Sequence, residues 1–326
     1  MHDFDDIFLG ESYLEPYCAM IGSKGLVFVE GLKDISFWDG FLNKDDKEDD
    51  FRYSINYASH EGTRGKTVLK KFYSFANRFA IFAIDSDFDY ICPNNNEAAK
   101  IMNSNKHIIQ TLVYSKESIS LHHLVLSDCI NKIRITDSIS FPIKEYMESY
   151  SKTIYETLIN FLFKKEMGIN VSDSDFHEKI TPEKPTIDKN YHLTNNPFHL
   201  LSQTKEATSN YYKDHSFSEE DFEKFRLAAI EKGLDSNSAA YFISGHFLEE
   251  KVVMPLITEI VSKFKLNELE KIKAECKNKP QLIEDNRREL YKYIDNEISF
   301  SNILHSSKAK YETPFSLEVM RKNQDL

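Results

Sequence analysis

The chain has 326 residues, 41% hydrophobic and 13% aromatic, enough to build sizeable cores and two domains. Its formal net charge of −11 excludes a protein that coats nucleic acid nonspecifically, because such binding is driven by phosphate neutralisation, but leaves room for an enzyme with a local basic groove. Four scattered cysteines (Cys18, Cys92, Cys129, Cys276) without a CxxC pair exclude a zinc ribbon and a disulfide framework; no stretch has the length of a membrane span, and the acidic start MHDFDDIFLGES lacks the basic residues of a secretory signal, which predicts a cytoplasmic protein.

In chain order, the first strand is predicted at Leu26 to Val29 and a helix at Asp34 to Leu42, with Ile35, Phe37, Trp38, Phe41 and Leu42 on its buried side. The run NKDDKEDD reads as a solvated acidic loop. A second strand follows at Tyr53 to Ala58, a helix at Thr67 to Phe75, and a buried strand at Phe79 to Ile84. After a loop at Asn94 to Asn96 come a strand within Lys106 to Val113 and a helix at Ser118 to Asp128. This alternation predicts an α/β fold: a mostly parallel sheet flanked by helices.

From Phe141 onward the texture becomes predominantly helical. Pro142 opens a long amphipathic run that ends near Met167, with Gly168 as its stop. The polar interval from Asn170 to Asn195 reads as a solvent-exposed loop or insertion. Helices are expected at Pro197 to Tyr212, Glu219 to Lys232 behind a Ser218 cap, Ser238 to Lys265, and Gln281 to Ile298. Two domains follow from this change, 1–135 for the α/β part and 136–326 for the helical part. The residues from Lys251 onward hold 14 Lys and Arg against 12 Asp and Glu, so a nucleic-acid surface would draw on this end. The amount of amphipathic helix also suggests a homodimer.

The chemistry-bearing residues follow the strands. Glu30 closes LVFVEG and Asp85, Asp87 and Asp89 close FAIFAIDSDFD, so carboxylates emerge at strand carboxyl ends, where open α/β sheets bind ligands. If strand geometry continued beyond Ile84, the three aspartates would share one side and could share a cation; an Asx turn with helix capping accounts for any one of them but poorly for all three. Carboxylates gathered this way repel one another unless a hard divalent cation neutralises them, which points to Mg²⁺, or Mn²⁺ in its place. An EF-hand is rejected because Tyr90 and Asn96 stand where it needs Gly and Glu. Asp34 reads as a first-turn helix residue favoured by the dipole. The segment HEGTRGKTVLKKF is not a Walker A loop, since His60 stands where a glycine is required. Arg64 and Lys66 there are either phosphate contacts or the solvated base of a plain turn. In YSKES, Glu117 is a further carboxylate at the same edge and Lys116 a cation for charge developing on phosphate, against a plain helix start capped by Ser115. His122, His123 and His246 have no partner at metal-ligand spacing and read as core or surface histidines.

The order VEGLKD, then DSDFD, then YSKES resembles the TOPRIM fold of topoisomerases, bacterial primases and OLD-type nucleases, and more closely the TOPRIM-like effector nucleases of PARIS-type anti-phage systems. The resemblance covers roughly the first 130 residues. It implies Mg²⁺ held by Glu30, Asp85 and Asp87, with Asp89 matching a third acid that some members possess. It also implies phosphodiester hydrolysis by an effector that a partner ABC-type ATPase restrains until it is released to cut host tRNA. A DNA endonuclease of OLD-like type, a non-catalytic metal-binding module that docks on an ATPase, and a phosphatase or phospho-receiver of doubly wound fold, which also places aspartates at strand ends, are the alternatives.

Overall fold

The computed structural model describes residues 9–43, 52–57, 59–60, 63–135, 138–213, 216–277, 279–296 and 298–324. Most of the acidic run at Asn43 to Asp50 therefore lies outside the described residues, as do Ala58 and the first eight residues.

Helix α1 (Glu11–Ile21) leads into β1 (Ser23–Val29), and α2 (Leu32–Leu42) returns the chain to β2 (Arg52–Tyr57). A small antiparallel pair, β3 (Ser59–His60) and β4 (Thr63–Arg64), precedes α3 (Lys66–Leu69) and a 3₁₀ stretch, Lys70–Phe75. Then come β5 (Ala80–Ile84), α4 (Glu97–Ser104), β6 (Ile108–Gln110), α5 (Lys116–Ser120) and α6 (His123–Lys132). The main sheet is four-stranded and all parallel, in the order β2-β1-β5-β6, with Val29 beside Ala83 and Ala83 beside Ile109. The chain steps outward from β1 to β2, and in the opposite direction from β5 to β6. The reversal puts a topological switch point between β1 and β5, the kind of position at whose carboxyl ends open α/β sheets bind ligands.

Period-two alternation sorts the strand residues onto two faces. Phe28, Ala80, Phe82, Ile84 and Ile108 pack with Leu14 of α1, with Leu69, Phe72 and Tyr73, and with Met102 of α4. Val27, Val29, Ile81, Ala83 and Ile109 face the larger core, shared with Phe37, Trp38 and Phe41 of α2 and with the helical half. All five residues of β5 are buried, the pattern of a central parallel strand covered on both sides.

The second half is helical: α7 (Ile143–Glu166), α8 (Asp173–Ile180), α9 (His199–Tyr212), α10 (Glu219–Glu231), the one-turn α11 (Gly245–Phe247), a π-helical segment (Leu248–Val253), α12 (Met254–Glu275), α13 (Pro280–Asn296), α14 (Phe300–Ser306) and α15 (Pro314–Asn323). Gly168 closes α7 at φ +72°, a left-handed geometry that favours glycine. Ser218 caps α10 by accepting a hydrogen bond from the Asp221 amide at 3.1 Å, a contact worth about 1 kcal/mol. Helix α7 runs through the large core and fixes the turn after β5. Cys92 Sγ donates to the Leu162 carbonyl at 3.3 Å, the Asn94 amide donates to Glu166 at 3.0 Å, and Lys232 of the segment after α10 donates to the Tyr90 carbonyl at 2.6 Å.

Several expectations are corrected by the structure. Helix α4 stands between the expected loop and strand, where no element was expected, and α8 interrupts the polar interval, each set by an Asn or Ser cap (Asn96, Ser172). The helix expected at Ser238 to Lys265 is broken at Ile243, which is extended, and at Ser244, which caps α11. Strand β6 is only three residues long: Leu112, at φ +61°, turns out of the ladder and its amide donates to Ser86 Oγ at 2.9 Å, while Thr111 Oγ1 accepts from the Ser86 amide at 3.1 Å.

Candidate active site

Glu30 follows β1 by one residue and Asp85 follows β5 by one residue, so the pairing of the two strands sets the carboxyls side by side at the switch point. Each is held through one oxygen by a backbone amide. Glu30 Oε1 accepts from the Asp85 amide at 3.1 Å, and Asp85 Oδ1 accepts from the Lys116 amide at 2.9 Å. Among the described residues, Glu30 Oε2 and Asp85 Oδ2 accept no hydrogen bond. Burial, opposed by Lys66 and reinforced by Asp87 and Asp34, pushes Glu30 up to about 7. Burial together with the charges of Glu30 and Glu117 holds Asp85 well above the ordinary carboxylate range, despite the Lys116 amide. These are two carboxyls that resist ionising side by side.

The strand does not continue past Ile84, so the aspartates do not line one side of it. Asp87 opens a turn at φ +49°, and its amide donates to the Tyr114 carbonyl at 2.7 Å. Its Oδ2 accepts from Lys66 Nζ at 2.7 Å. Asp89 is buried and committed: Oδ2 lies 3.2 Å from Lys70 Nζ and 3.7 Å from Lys66 Nζ, while Oδ1 accepts from the amides of Asn95 and Asn96 at 3.2 and 3.1 Å. Burial alone would raise its pKa, but Lys66, Lys70 and Asn95 bring it below the ordinary value. Asp89 therefore joins the turn to the 3₁₀ segment as a paired anion.

Lys66 is not a solvated base. Gly65, at φ +79°, turns the chain so that Lys66 starts α3 with its side chain aimed across the sheet edge, where Nζ donates to the Asp85 carbonyl and to Asp87. The backbone of Arg64 belongs to β4, while its side chain lies outside the described residues. Lys116 and Glu117 do begin α5 behind a Ser115–Ser118 capping box, and they also reach the site. Lys116 Nζ binds Asp34 Oδ1 and lies 3.7 Å from Glu117 Oε1; Glu117 Oε2 accepts from Ser115 Oγ at 2.7 Å.

Sequence reasoning missed three contributors. Asp34 does sit in the first turn of α2, but it is buried and paired with Lys116, so it belongs to the site as well. Tyr73 is fully buried, close enough to Glu30, Asp89 and Asp87 to feel their charge, and its hydroxyl has no hydrogen-bond partner among the described residues. Gly245 of α11 lies against α5 so closely that a Cβ there would come within 2.3 Å of Ser115 Oγ and 2.8 Å of Glu117 Cβ. A glycine inside a helical pattern was the one signal for this approach. The histidines are as expected from pattern: His122 is packed against Tyr241 and Phe315, with burial and His123 pushing it down to about 3, and His246 is exposed.

Among the described residues, no group of three or more His, Cys, Asp or Glu side chains is arranged to hold a metal ion. The donor set nevertheless fits Mg²⁺, which is commonly held by only one or two carboxylates together with water and substrate phosphate. Glu30 and Asp85 supply hard oxygens, one of each uncommitted and the other on a backbone amide, whereas Asp87 Oδ2 and both oxygens of Asp89 are engaged, with a lysine on each residue. No protein-family model matches the chain, and no curated protein matches it. No helix among the described residues is long and apolar enough to cross a membrane.

Proposed function

We propose that this chain is a Mg²⁺-dependent phosphodiesterase, a nuclease with its centre at Glu30 and Asp85. The observation that carries the reading is the pair itself: two carboxyls fixed by backbone amides at the switch point of a parallel sheet, each with a free oxygen and each reluctant to ionise without a cation. Glu30 and Asp85 would hold the ion, which when bound polarises a phosphodiester and acidifies water. Glu30, beside the ion, would also take a proton from an attacking water. Lys66 and Lys116 lie on either side and supply fixed positive charge for a phosphate that gains charge as the bond to water forms. Asp34 and Glu117 position Lys116.

The finer reading rests on the order of the three motifs. It makes the chain a TOPRIM-like effector of anti-phage defence, cytoplasmic, restrained by a partner ABC-type ATPase and acting on host tRNA rather than DNA, as a homodimer when active. The test is to incubate the purified chain with tRNA or plasmid DNA, in Mg²⁺ or in EDTA, beside Glu30→Gln and Asp85→Asn. Expected is tRNA cleavage that EDTA and either substitution abolish. Cleavage that persists in EDTA or in Glu30→Gln overturns the mechanism, and cleavage of plasmid alone moves the substrate to DNA. The internal pairing of Asp34, Asp87 and Asp89 with lysines favours one second reading, a non-catalytic module that docks on the ATPase. An inert protein whose Glu30→Gln variant retains full defence in cells, while still co-purifying with the ATPase, would establish it.

A further inference from the structure

We infer that the centre takes a single metal ion, on Glu30 and Asp85, and that the Lys66 ammonium permanently fills the place of a second cation. The inference rests on the metal-dependent reading above and concerns how the acidic residues divide.

Two-metal phosphodiesterases place their ions about 3.5–4 Å apart and usually bridge them with a shared aspartate. Asp85 would be the shared residue of such a pair: its carboxyl lies beside Glu30, and its main-chain carbonyl meets the ammonium that binds Asp87. On the second side the position is occupied. Lys66 Nζ lies 2.7 Å from the Asp85 carbonyl oxygen, 2.7 Å from Asp87 Oδ2 and 3.7 Å from Asp89 Oδ2, and its side chain is only 10% exposed. Mg²⁺ binds carboxylate oxygen at about 2.0–2.1 Å, so an ion on Asp87 Oδ2 would contact the ammonium and be repelled by it. Displacing Lys66 would also leave an ammonium without its partners in a nearly dry site. Asp89 is closed independently, since Lys70, Asn95 and Asn96 take both its oxygens. Delivery of Lys66 is built into the chain, because the left-handed turn at Gly65 starts α3 with this residue.

The ammonium retains something to offer a substrate. Two of its three protons go to the Asp85 carbonyl and to Asp87, and the 3.7 Å gap to Asp89 is too long for a hydrogen bond, so one N–H is uncommitted among the described residues. A nonbridging phosphate oxygen is the acceptor such a fixed point charge suits.

The experiment counts ions, not turnover. Mn²⁺ is titrated into the full-length chain, and bound ion is measured by equilibrium dialysis and by electron paramagnetic resonance, which separates isolated Mn²⁺ from a coupled pair. Expected is one isolated Mn²⁺ per wild-type chain, one in Lys66→Arg, and a second, coupled ion in Lys66→Met, where Asp87 becomes available. Two coupled ions in the wild type overturn the inference while leaving the metal-dependent reading intact. One ion in both wild type and Lys66→Met also overturns it, provided Lys66→Met keeps the wild-type circular dichroism. No ion bound by the wild type overturns the metal-dependent reading itself. If Lys66→Met does not fold, Lys66→Gln, which also removes the charge, is counted in its place, and one ion in that folded variant overturns the inference.

Discussion

Within a span of five residues, the turn after β5 holds aspartates in opposite electrostatic conditions. Asp85, with Glu30 across from it, sits among like charges and receives only an amide, so burial and repulsion hold its pKa far above normal. Asp89 is more deeply buried by solvent exposure, yet its pKa is lowered, because two ammonium groups and two side-chain amides converge on it. Burial by itself therefore does not decide whether a carboxylate is poised for chemistry; the sign of what it is buried with does. The Glu30 and Asp85 half is only partly offset, by the more distant charges of Lys66 and Lys116, and the Asp87 and Asp89 half is paired directly with lysine.

The largest expected effect falls on the partly offset half. Glu30→Gln or Asp85→Asn should lower Mg²⁺-dependent cleavage by about 10³-fold or more, roughly 4 kcal/mol in the transition state, while circular dichroism stays unchanged. A loss of less than tenfold would break the contrast. On the compensated side the effect should fall on stability. Asp89→Ala leaves Lys66 and Lys70 short of a partner and should cost about 3 kcal/mol in urea unfolding. If Asp89→Ala instead left stability intact and changed only metal affinity, Asp89 would belong with the metal ligands.

Gly245→Ala sharpens the contrast from outside the cluster. The added methyl must push on Ser115 and on Glu117, one of the two charges that raise Asp85, and should cost about 2 kcal/mol of stability together with a several-fold loss of activity. Wild-type stability and activity in that variant would show that α11 can be moved without consequence for α5.

The smallest effect is the most diagnostic, because the two halves should respond to pH with opposite signs. Folded Glu30 holds its proton up to about 7, whereas the unfolded chain loses it near the ordinary carboxylate value. Through that window the folded state binds more protons, so stability falls as pH rises, and Asp85 acts in the same direction. Glu30→Gln removes this term and should be more stable than wild type at pH 8 by on the order of 1 to 2 kcal/mol, with the gap closing near pH 5. Asp89, with its lowered pKa, contributes stability that is present at neutral pH and lost as acid protonates it, so Asp89→Asn should flatten the acid limb instead. Thermal melts across about pH 2 to 8, without divalent cation, measure both slopes, that of Asp89 below the ordinary carboxylate value and that of Glu30 above it.

Much of this was legible in the chain. Hydrophobic periodicity located β1, β5 and α7 to within a few residues, since each carries a pattern matched to its own period. The rule that carboxylates at strand ends gather at a parallel sheet's edge brought Glu30 and Asp85 together on paper as they are in space. Less visible were α4 and α8, whose polar compositions mask helices that their caps and packing secure. The same holds for Asp34: its position in a first turn explained it well enough that its partner, 82 residues away, left no trace in the local pattern.

By itself, then, the sequence determined the α/β alternation, the helical second half and which residues stand at strand ends, because those depend on side-chain periods and caps that act within a few residues. Only the tertiary structure decided which of the carboxylates are compensated. That outcome depends on Lys66 arriving from the turn at Gly65, on Lys116 from the start of α5, and on Gly245 from the far half of the chain. Charge acts over ångströms in space, and the groups that meet here are separated by tens of residues in sequence.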